Sequence, residues 1–546
     1  MADEKKNRIV TSALPYVNNL PHLGNVVGCV LSSDVYSRFC RKVGHRVVHI
    51  CGTDEFGTAI EMAALEAGKH PREICDTNHM LHKRIYDWFE IEFDYFGRTT
   101  ESSHVENTAG FFKRMESRGF LEEQVGEQLY CETCAIFLAD RYVGGTCPRC
   151  ASADARGDQC DTCGAMFKPV ELVRPACSIC RGVPVLRQTK HIFFRLDLLK
   201  GQLGDFVRER MERWSHNARE ITKEWVMKEL HARCITRDLK FRWGVPVPRE
   251  GFEEKVLYVW FDAPIGYVSF AKALLGEEYE EFVRSCELYQ FMGKDNVAFH
   301  SILFPGICMA SDTSNFLVDV ISSTEYLLFD DKKFSKSRSV GISGSELLEN
   351  AYGEASLWRY YLMKIRPESK DSSFTFADFR SSVTSDLINN IGNFCHRVLM
   401  YIRKRLDGVI RYTIADEDHA FISQADELYL AYLRHMEKIE IRKGVKSVLD
   451  MARLGNEYIQ GRIGREARAR DSSFCIAASL VLYIGHVLEP FTPSACKRLF
   501  SMLAVPASTY PKRFELLECG HVLGEAIKPL FVPFSDAELE LMGSRH

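Results

Sequence analysis

Four Cys-x-x-Cys turns stand close together in the chain: Cys131/Cys134, Cys147/Cys150, Cys160/Cys163 and Cys177/Cys180. Two residues between cysteines let both sulfurs of one turn point at a single ion, and four thiolates around a tetrahedral ion make a closed, structural zinc site. The stretch therefore predicts one or two structural Zn2+ sites, with no coordination position left open for chemistry. The short inner spacing favours Cys147, Cys150, Cys160 and Cys163 around one ion, leaving Cys131, Cys134, Cys177 and Cys180 for the other. A sequential pairing, the first two turns and the last two, satisfies the same ligand count. The chain has 19 cysteines, and those outside the four turns are scattered singly. That usage fits reduced, mostly buried thiols of a cytosolic chain rather than a disulfide framework. The turn-rich segment from Gly119 to Gly182 reads as a metal-stapled insertion.

The flanking sequence alternates strand and helix. Arg8 to Leu14 is β-rich, and Pro15 and Pro21 then force extended backbone before His22. Val26 to Val43 has apolar residues at helical spacing and stops at Gly44, a suitable helix C-terminus. His45 to Cys51 is a buried strand feeding the loop Gly52-Thr53-Asp54-Glu55-Phe56-Gly57. Strand, helix, strand at this spacing predicts a βαβ unit in a parallel sheet, whose ligands sit beyond the carboxyl ends of the strands. His22 and Asp54 both fall there, although Asp54 alone could equally be a helix N-cap. Strand signals resume at Lys190–Leu196, and Phe291–His300 reads as another strand followed by a helix start. Lys255–Tyr267 reads as a buried strand running into a Pro/Gly-restrained loop. Beyond Phe376 the apolar residues keep helical spacing to the end, which predicts an α-helical bundle.

Two stretches carry the chemistry. His22-Leu23-Gly24-Asn25 opens a helix, where unpaired N–H groups and the positive dipole end favour phosphate. Far downstream, Asp331-Lys332-Lys333-Phe334-Ser335-Lys336-Ser337-Arg338 is a run of cations and hydroxyls. Preorganised cations are worth most against the charge that builds on a leaving pyrophosphate. Together they point to a split ATP site, with Mg2+ accompanying the nucleotide.

His22-Leu23-Gly24-Asn25 resembles the HIGH signature of class I aminoacyl-tRNA synthetases, and Lys333-Phe334-Ser335-Lys336-Ser337 resembles their KMSKS partner. Trp260-Phe261-Asp262-Ala263-Pro264-Ile265-Gly266-Tyr267 is similar to the methionine-pocket segment of methionyl-tRNA synthetases. The resemblance runs from Thr11 to about Tyr458. It implies a catalytic set of His22, Asn25, Lys333 and Lys336, and an ATP site of His22, Gly24, Asn25, Gly293, Asp295 and Lys336. It implies a methionine pocket of Ala13, Leu14, Tyr16, Asp54, Arg237, Trp260, Ala263, Pro264, Tyr267 and His300, with Asp54 on the substrate amino group. Asn389-Asn390-Ile391-Gly392-Asn393-Phe394-Cys395-His396-Arg397 resembles the family's anticodon-reading helix, which assigns base contacts to Asn393 and Arg397. Counting on from Asn456-Glu457-Tyr458 to the family's base-stacking tryptophan lands near Arg465, and no tryptophan is present there.

The expected architecture is α/β: a Rossmann-type parallel sheet split by a zinc-knuckle insertion, followed by a helical anticodon-binding bundle. The expected division is 1–118 for the first catalytic half, 119–233 for the insertion and 234–325 for the second half. A KMSKS and stem-contact region, 326–370, and the helical domain, 371–546, follow. The implied partners are L-methionine, ATP and tRNA(Met). The alternatives are a class I synthetase for another amino acid and a catalytically silent tRNA- or RNA-binding paralogue. A formal charge of −4 over 546 residues advertises no global nucleic-acid field. No uninterrupted apolar run approaches the ~20 residues of a membrane span, and the amino-terminal segment lacks a signal-peptide centre, so a cytoplasmic protein is expected. No appended domain is legible after Phe534, which makes a monomer the default expectation.

Overall fold

The computed structural model describes residues 5–157, 160, 162–163, 165, 167–227, 229–332, 341–350 and 353–543. Its catalytic sheet is built from β1 (Asn7–Ser12), β2 (Arg46–Thr53), β3 (Tyr95–Arg98), β6 (Cys286–Gly293) and β7 (Val320–Thr324). The insertion supplies β4 (Leu121–Cys131) and β5 (Val185–Phe194) in a separate sheet. The five catalytic strands are all parallel, in the order β7-β6-β1-β2-β3. Asn7 lies opposite Arg46 on one side and Cys286 on the other. The order reverses between β1 and β6, and the carboxyl ends of those two strands frame a crevice of the kind that takes a ligand.

β1 reads as a continuous apolar run because it is covered on both faces. Ile9 packs into one core with Ile50, Met292 and Phe270; Val10 packs into the other with Val35, Tyr36 and Phe291. The first helix runs from Leu23 to Lys42 and contains a wide-turn segment, Val26–Val30, before α1 (Leu31–Lys42). Gly44 closes it at φ 94°, as its sequence position predicts. On the opposite face lie α2 (Thr58–Ala67), α3 (Ser102–Ser117) and α4 (Val259–Leu275).

The segment expected to be a strand and a loop, 255–267, differs. Only Val256–Leu257 pair as a strand, and α4 begins at Val259 with Pro264 inside it. Every residue from Phe261 to Ala271 is buried. A helix apolar on all sides has no 3.6-residue period to read, and its β-branched and aromatic start imitates a strand.

β4 and β5 form a long antiparallel ladder, from Leu121 opposite Phe194 to Tyr130 opposite Val185, and carry the cysteine turns at the far end. The junction to the helical domain holds α5 (Ala355–Lys364) and a parallel pairing of Leu327–Phe329 with Ser372–Phe374. The bundle follows: α6 (Asn393–Arg405), α7 (Asp418–Glu437), α8 (Ile441–Gln460), α9 (Ala467–Leu488) and α10 (Pro493–Leu503). α9 is long and apolar enough to span a bilayer, and 89% of its most apolar window is buried inside the bundle. The bundle shares one hydrophobic core with the α1 face of the sheet. Arg359 is fully buried at that seam and donates to Asp34 and to the carbonyls of Phe89, Glu90, Pro490 and Phe491.

Candidate active site and metal centres

His22 caps the helix that leaves β1. Its backbone is extended, its Nδ1 accepts from the Gly24 N–H at 3.1 Å, and the Asn25 side chain accepts from the His22 N–H at 3.2 Å. This capping box fixes the ring and leaves the proton of the neutral imidazole on Nε2. Burial lowers the His22 pKa to about 4, so the ring is neutral at physiological pH. Ser343 bridges to His22 and Gly344 donates to the Pro21 carbonyl at 2.8 Å. A β-carbon on Gly344 would stand 2.6 Å from Ile85. Lys333 and Lys336 lie outside the described residues; Ser343 shows where the chain that follows them meets the first signature.

Across the crevice, β6 ends at Gly293, where an added β-carbon would meet open space. Asp295 follows in a short turn and accepts the Tyr326 hydroxyl on both oxygens, at 2.7 and 2.9 Å. Lys294 pairs with Glu325 at 2.5 Å and lies over the Tyr326 ring.

Asp54 ends β2. The N-cap of α2 is Gly57, at φ 95° and without a side-chain cap, so the capping reading of Asp54 falls away. Its backbone is tied to the loop after β1 through Pro15 and Val17, and the Tyr16 hydroxyl donates to the Phe56 carbonyl at 3.0 Å. One Asp54 carboxyl oxygen is buried with no hydrogen-bond partner. Burial raises the Asp54 pKa well above the usual carboxyl range, and the neighbouring carboxyls of Asp262 and Glu55 add to it. Tyr267 and His300 meet behind this loop. His300 Nδ1 bonds the Asn296 carbonyl at 2.8 Å, which makes Nε2 the acceptor of the Tyr267 hydroxyl at 2.8 Å. Burial lowers the His300 pKa to about 4.

Leu14 reaches α4 at Gly266, where a β-carbon would stand 3.1 Å from its side chain. Ala13 is held by its N–H on the Phe291 carbonyl at 2.8 Å. Ala263 and Pro264 are buried in α4, and Trp260 stacks on Phe299 at 3.6 Å between centroids. Arg237 lies 3.7 Å over the Tyr258 ring and donates to the Thr236 carbonyl at 2.9 Å. Asn296, Phe299 and Asp262 were not expected from the sequence. Only Asp262 carried a signal, as an acidic residue inside an apolar run.

A family model described as tRNA synthetases class I (M) matches residues 8–399, and one described as the anticodon binding domain of methionyl tRNA ligase matches residues 411–544. The chain belongs to the methionyl-tRNA ligase family. It is 48% identical to a probable cytoplasmic methionine–tRNA ligase of Encephalitozoon cuniculi over 98% of this chain and 97% of that protein. It is 41% identical to the cytoplasmic methionine–tRNA ligase of Mus musculus over 99% of this chain and 61% of that protein. Its fold matches that of a Mycobacterium tuberculosis methionyl-tRNA synthetase solved with methionyl-adenylate. The TM-score is 0.79 over 96% of this chain and 99% of that one, at 21% identity.

In this chain the cysteine turns come together in the nested arrangement. Cys131, Cys134, Cys177 and Cys180 form one group and Cys147, Cys150, Cys160 and Cys163 the other, with the sulfurs of each within 4.8 Å of one another. The Cys131–Cys180 and Cys134–Cys177 sulfurs are 3.3 and 3.9 Å apart, and Cys147–Cys163 and Cys150–Cys160 are 3.8 and 3.6 Å apart. A tetrahedral zinc with bonds of about 2.3 Å needs sulfurs about 3.8 Å apart, so the donor set fits. Backbone N–H groups of Cys134, Arg149 and Gly182 also point at ligand sulfurs. Tyr142, between the turns, donates to Glu61 on α2, which also accepts the N–H groups of Phe241 and Trp243. The knuckles are thereby fastened to the catalytic unit.

On the bundle, Asn393 and Arg397 share α6, and Arg397 donates to the Asn456 side chain on α8 at 3.0 Å. Asn456 in turn donates to the Asn390 carbonyl at 2.9 Å. Arg465 is ion-paired to Glu417.

Proposed function

We propose that the crevice between β1 and β6 activates L-methionine with ATP and that the bundle presents tRNA(Met) to it. The carboxylate of methionine attacks the α-phosphorus of ATP, forming methionyl-adenylate and releasing pyrophosphate. The terminal ribose hydroxyl of the tRNA then attacks the acyl carbon, and AMP leaves. No covalent enzyme intermediate is needed; the side chains position reactants and stabilise charge.

His22, through its Nε2–H, and the helix terminus at Gly24 and Asn25 meet the phosphates. Gly293 lets the nucleotide lie against the backbone, and Asp295 takes ribose hydroxyls. Lys333 and Lys336 stabilise the departing pyrophosphate, whose charge is also neutralised by Mg2+ when the nucleotide is bound. Asp54 receives the substrate ammonium. Ala13, Leu14, Tyr16, Trp260, Ala263, Pro264, Tyr267 and His300 wall the thioether, with Arg237 at the carboxylate. The eight cysteines would hold zinc, which would keep the insertion in shape. Asn393 and Arg397 read anticodon bases, whose splayed Watson–Crick edges suit an amide and a guanidinium. The protein acts in the cytoplasm, as its relatives are named, and as a monomer.

The observation that carries this reading is the placement, around one topological switch point, of a neutral capping histidine and a buried carboxyl oxygen without a partner. The test is charging of tRNA(Met) with labelled amino acids. Esterification by methionine and not by leucine, isoleucine or valine supports it. Charging of another tRNA, or none from folded protein, removes it.

A further inference from the structure

Asp262 is a fully buried carboxyl that the reaction above does not use, and neither of its oxygens has a hydrogen-bond partner. It sits one helical turn beyond Val259, which packs 3.3 Å from the β-carbon position of Gly57. The first turn of α4 thus presses directly on the turn that carries Asp54.

The groups around the two carboxyls are acidic or neutral except for Arg141, an exposed cation of the insertion that acts on Tyr16. Asp262 and Glu55 both act on Asp54 as like charges, opposed only by the Phe56 N–H. Glu55 has its own cation, Arg98, at 2.8 Å, with His79 at 3.8 Å. Tyr16 and Tyr258 contribute neutral hydroxyls from the β1 loop and the start of α4, and Tyr267 another from further along that helix. From α3, His104 brings Nε2 to 3.7 Å of Asp262 Oδ2. Among the described residues, no cation acts on either carboxyl itself.

His104 continues a buried polar file. The Ser269 hydroxyl donates to the Ile265 carbonyl at 3.2 Å, so at 2.9 Å it accepts from His104 Nδ1–H. That leaves the Nε2 lone pair turned to Asp262, shared only with Thr108 at 3.3 Å. Asn107 donates to Ser269 at 2.9 Å and accepts from Lys272 at 3.2 Å, and Lys272 is half-buried at the surface.

We infer that Asp54 and Asp262 hold one proton between them in the empty pocket, and that the ammonium of the bound amino acid displaces it to solvent. This rests on the reading that Asp54 faces the substrate ammonium. Two buried carboxyls that act on each other as like charges, with no cation acting on either among the described residues, do not both ionise; their protons belong to the pair. An incoming ammonium is the missing counter-charge. One O–H bond of the pair breaks, the proton passes to solvent, and the zwitterionic substrate keeps all of its own protons. Asp262 is a positioning residue in this account, since it acts on substrate through Asp54.

The test is calorimetric titration of the full chain with methionine, without ATP, in two buffers of different ionisation enthalpy at one pH. The wild type is expected to release close to one proton per methionine, and its association constant to rise by up to about tenfold per pH unit near neutrality. Asp262→Asn is expected to bind methionine with almost no release and a flat pH profile. Binding by the wild type without release, or equal release by both proteins, overturns the inference and leaves the pocket assignment standing. No binding of methionine at all removes that assignment and the inference with it. The infrared spectrum of the wild type alone gives an independent check. Methionine should remove a protonated-carboxyl band, and an unchanged spectrum overturns the proposal even if the variant does not fold.

Discussion

Asp34→Asn tests the seam between the sheet and the bundle. Asp34 is fully buried on α1 and accepts from Arg38 at 2.9 Å, Arg359 at 2.6 Å and the Glu92 N–H at 3.0 Å. Burial alone would raise its pKa, but Arg38 and Arg359 outweigh burial and hold it at about 2. Against the ordinary 3.8, that is worth about 2 kcal/mol at 1.36 kcal/mol per unit. Removing one partner of a buried pair typically costs about 3–5 kcal/mol. Arg359 keeps four backbone carbonyls, so the lower end, about 3 kcal/mol, is expected. The sign follows from the depressed pKa: this stability is complete above pH 3.8 and lost as pH falls toward 2, so the deficit is undiminished at pH 7 and at pH 5. Urea unfolding followed by circular dichroism should show an earlier first transition. Because Arg359 joins residues 89–90 to 490–491, aminoacylation should fall more than ATP–pyrophosphate exchange. A deficit below about 1 kcal/mol, or equal loss of both activities, would refute the reasoning.

His22, His49, His82, His104, His300 and His486 are all drawn down to about 4 by burial. They are neutral in the fold, so their stability is complete above pH 6.5 and lost toward pH 4; a urea midpoint unchanged between pH 7 and pH 5 contradicts this. Tyr267→Phe leaves His300 Nε2 without its donor, and the methionine KM in exchange should rise about tenfold while the ATP KM stays put. Arg397→Ala should spare exchange and weaken aminoacylation, with the deficit read as kcat/KM for tRNA(Met). Stripping zinc with a chelator under reducing conditions should make the 131–180 segment protease-sensitive, and zinc should restore protection; resistance without metal contradicts a structural role.

The parts of the fold with a period or a fixed spacing were legible in the sequence. β1 and β2 announced themselves as apolar runs bounded by proline and glycine, and the helix after His22 ended at Gly44 as read. The cysteine spacing picked out the eight thiols and favoured the nested grouping in which their sulfurs meet. What was not legible depends on contacts between distant segments. α4 passed for a strand because its surroundings are apolar on every side. Asp262 owes its unpartnered oxygens to α3 and to the Asp54 turn, and Trp260 owes its orientation to Phe299. Asn456 positions Arg397 from another helix. The roles of Lys333 and Lys336 rest on the sequence, since both lie outside the described residues.

ATP–pyrophosphate exchange across a panel of amino acids, without tRNA, tests the central claim most directly. The account predicts exchange driven by methionine and by none of leucine, isoleucine, valine or cysteine. Exchange driven by another amino acid, or no exchange from folded, zinc-replete protein, would contradict it.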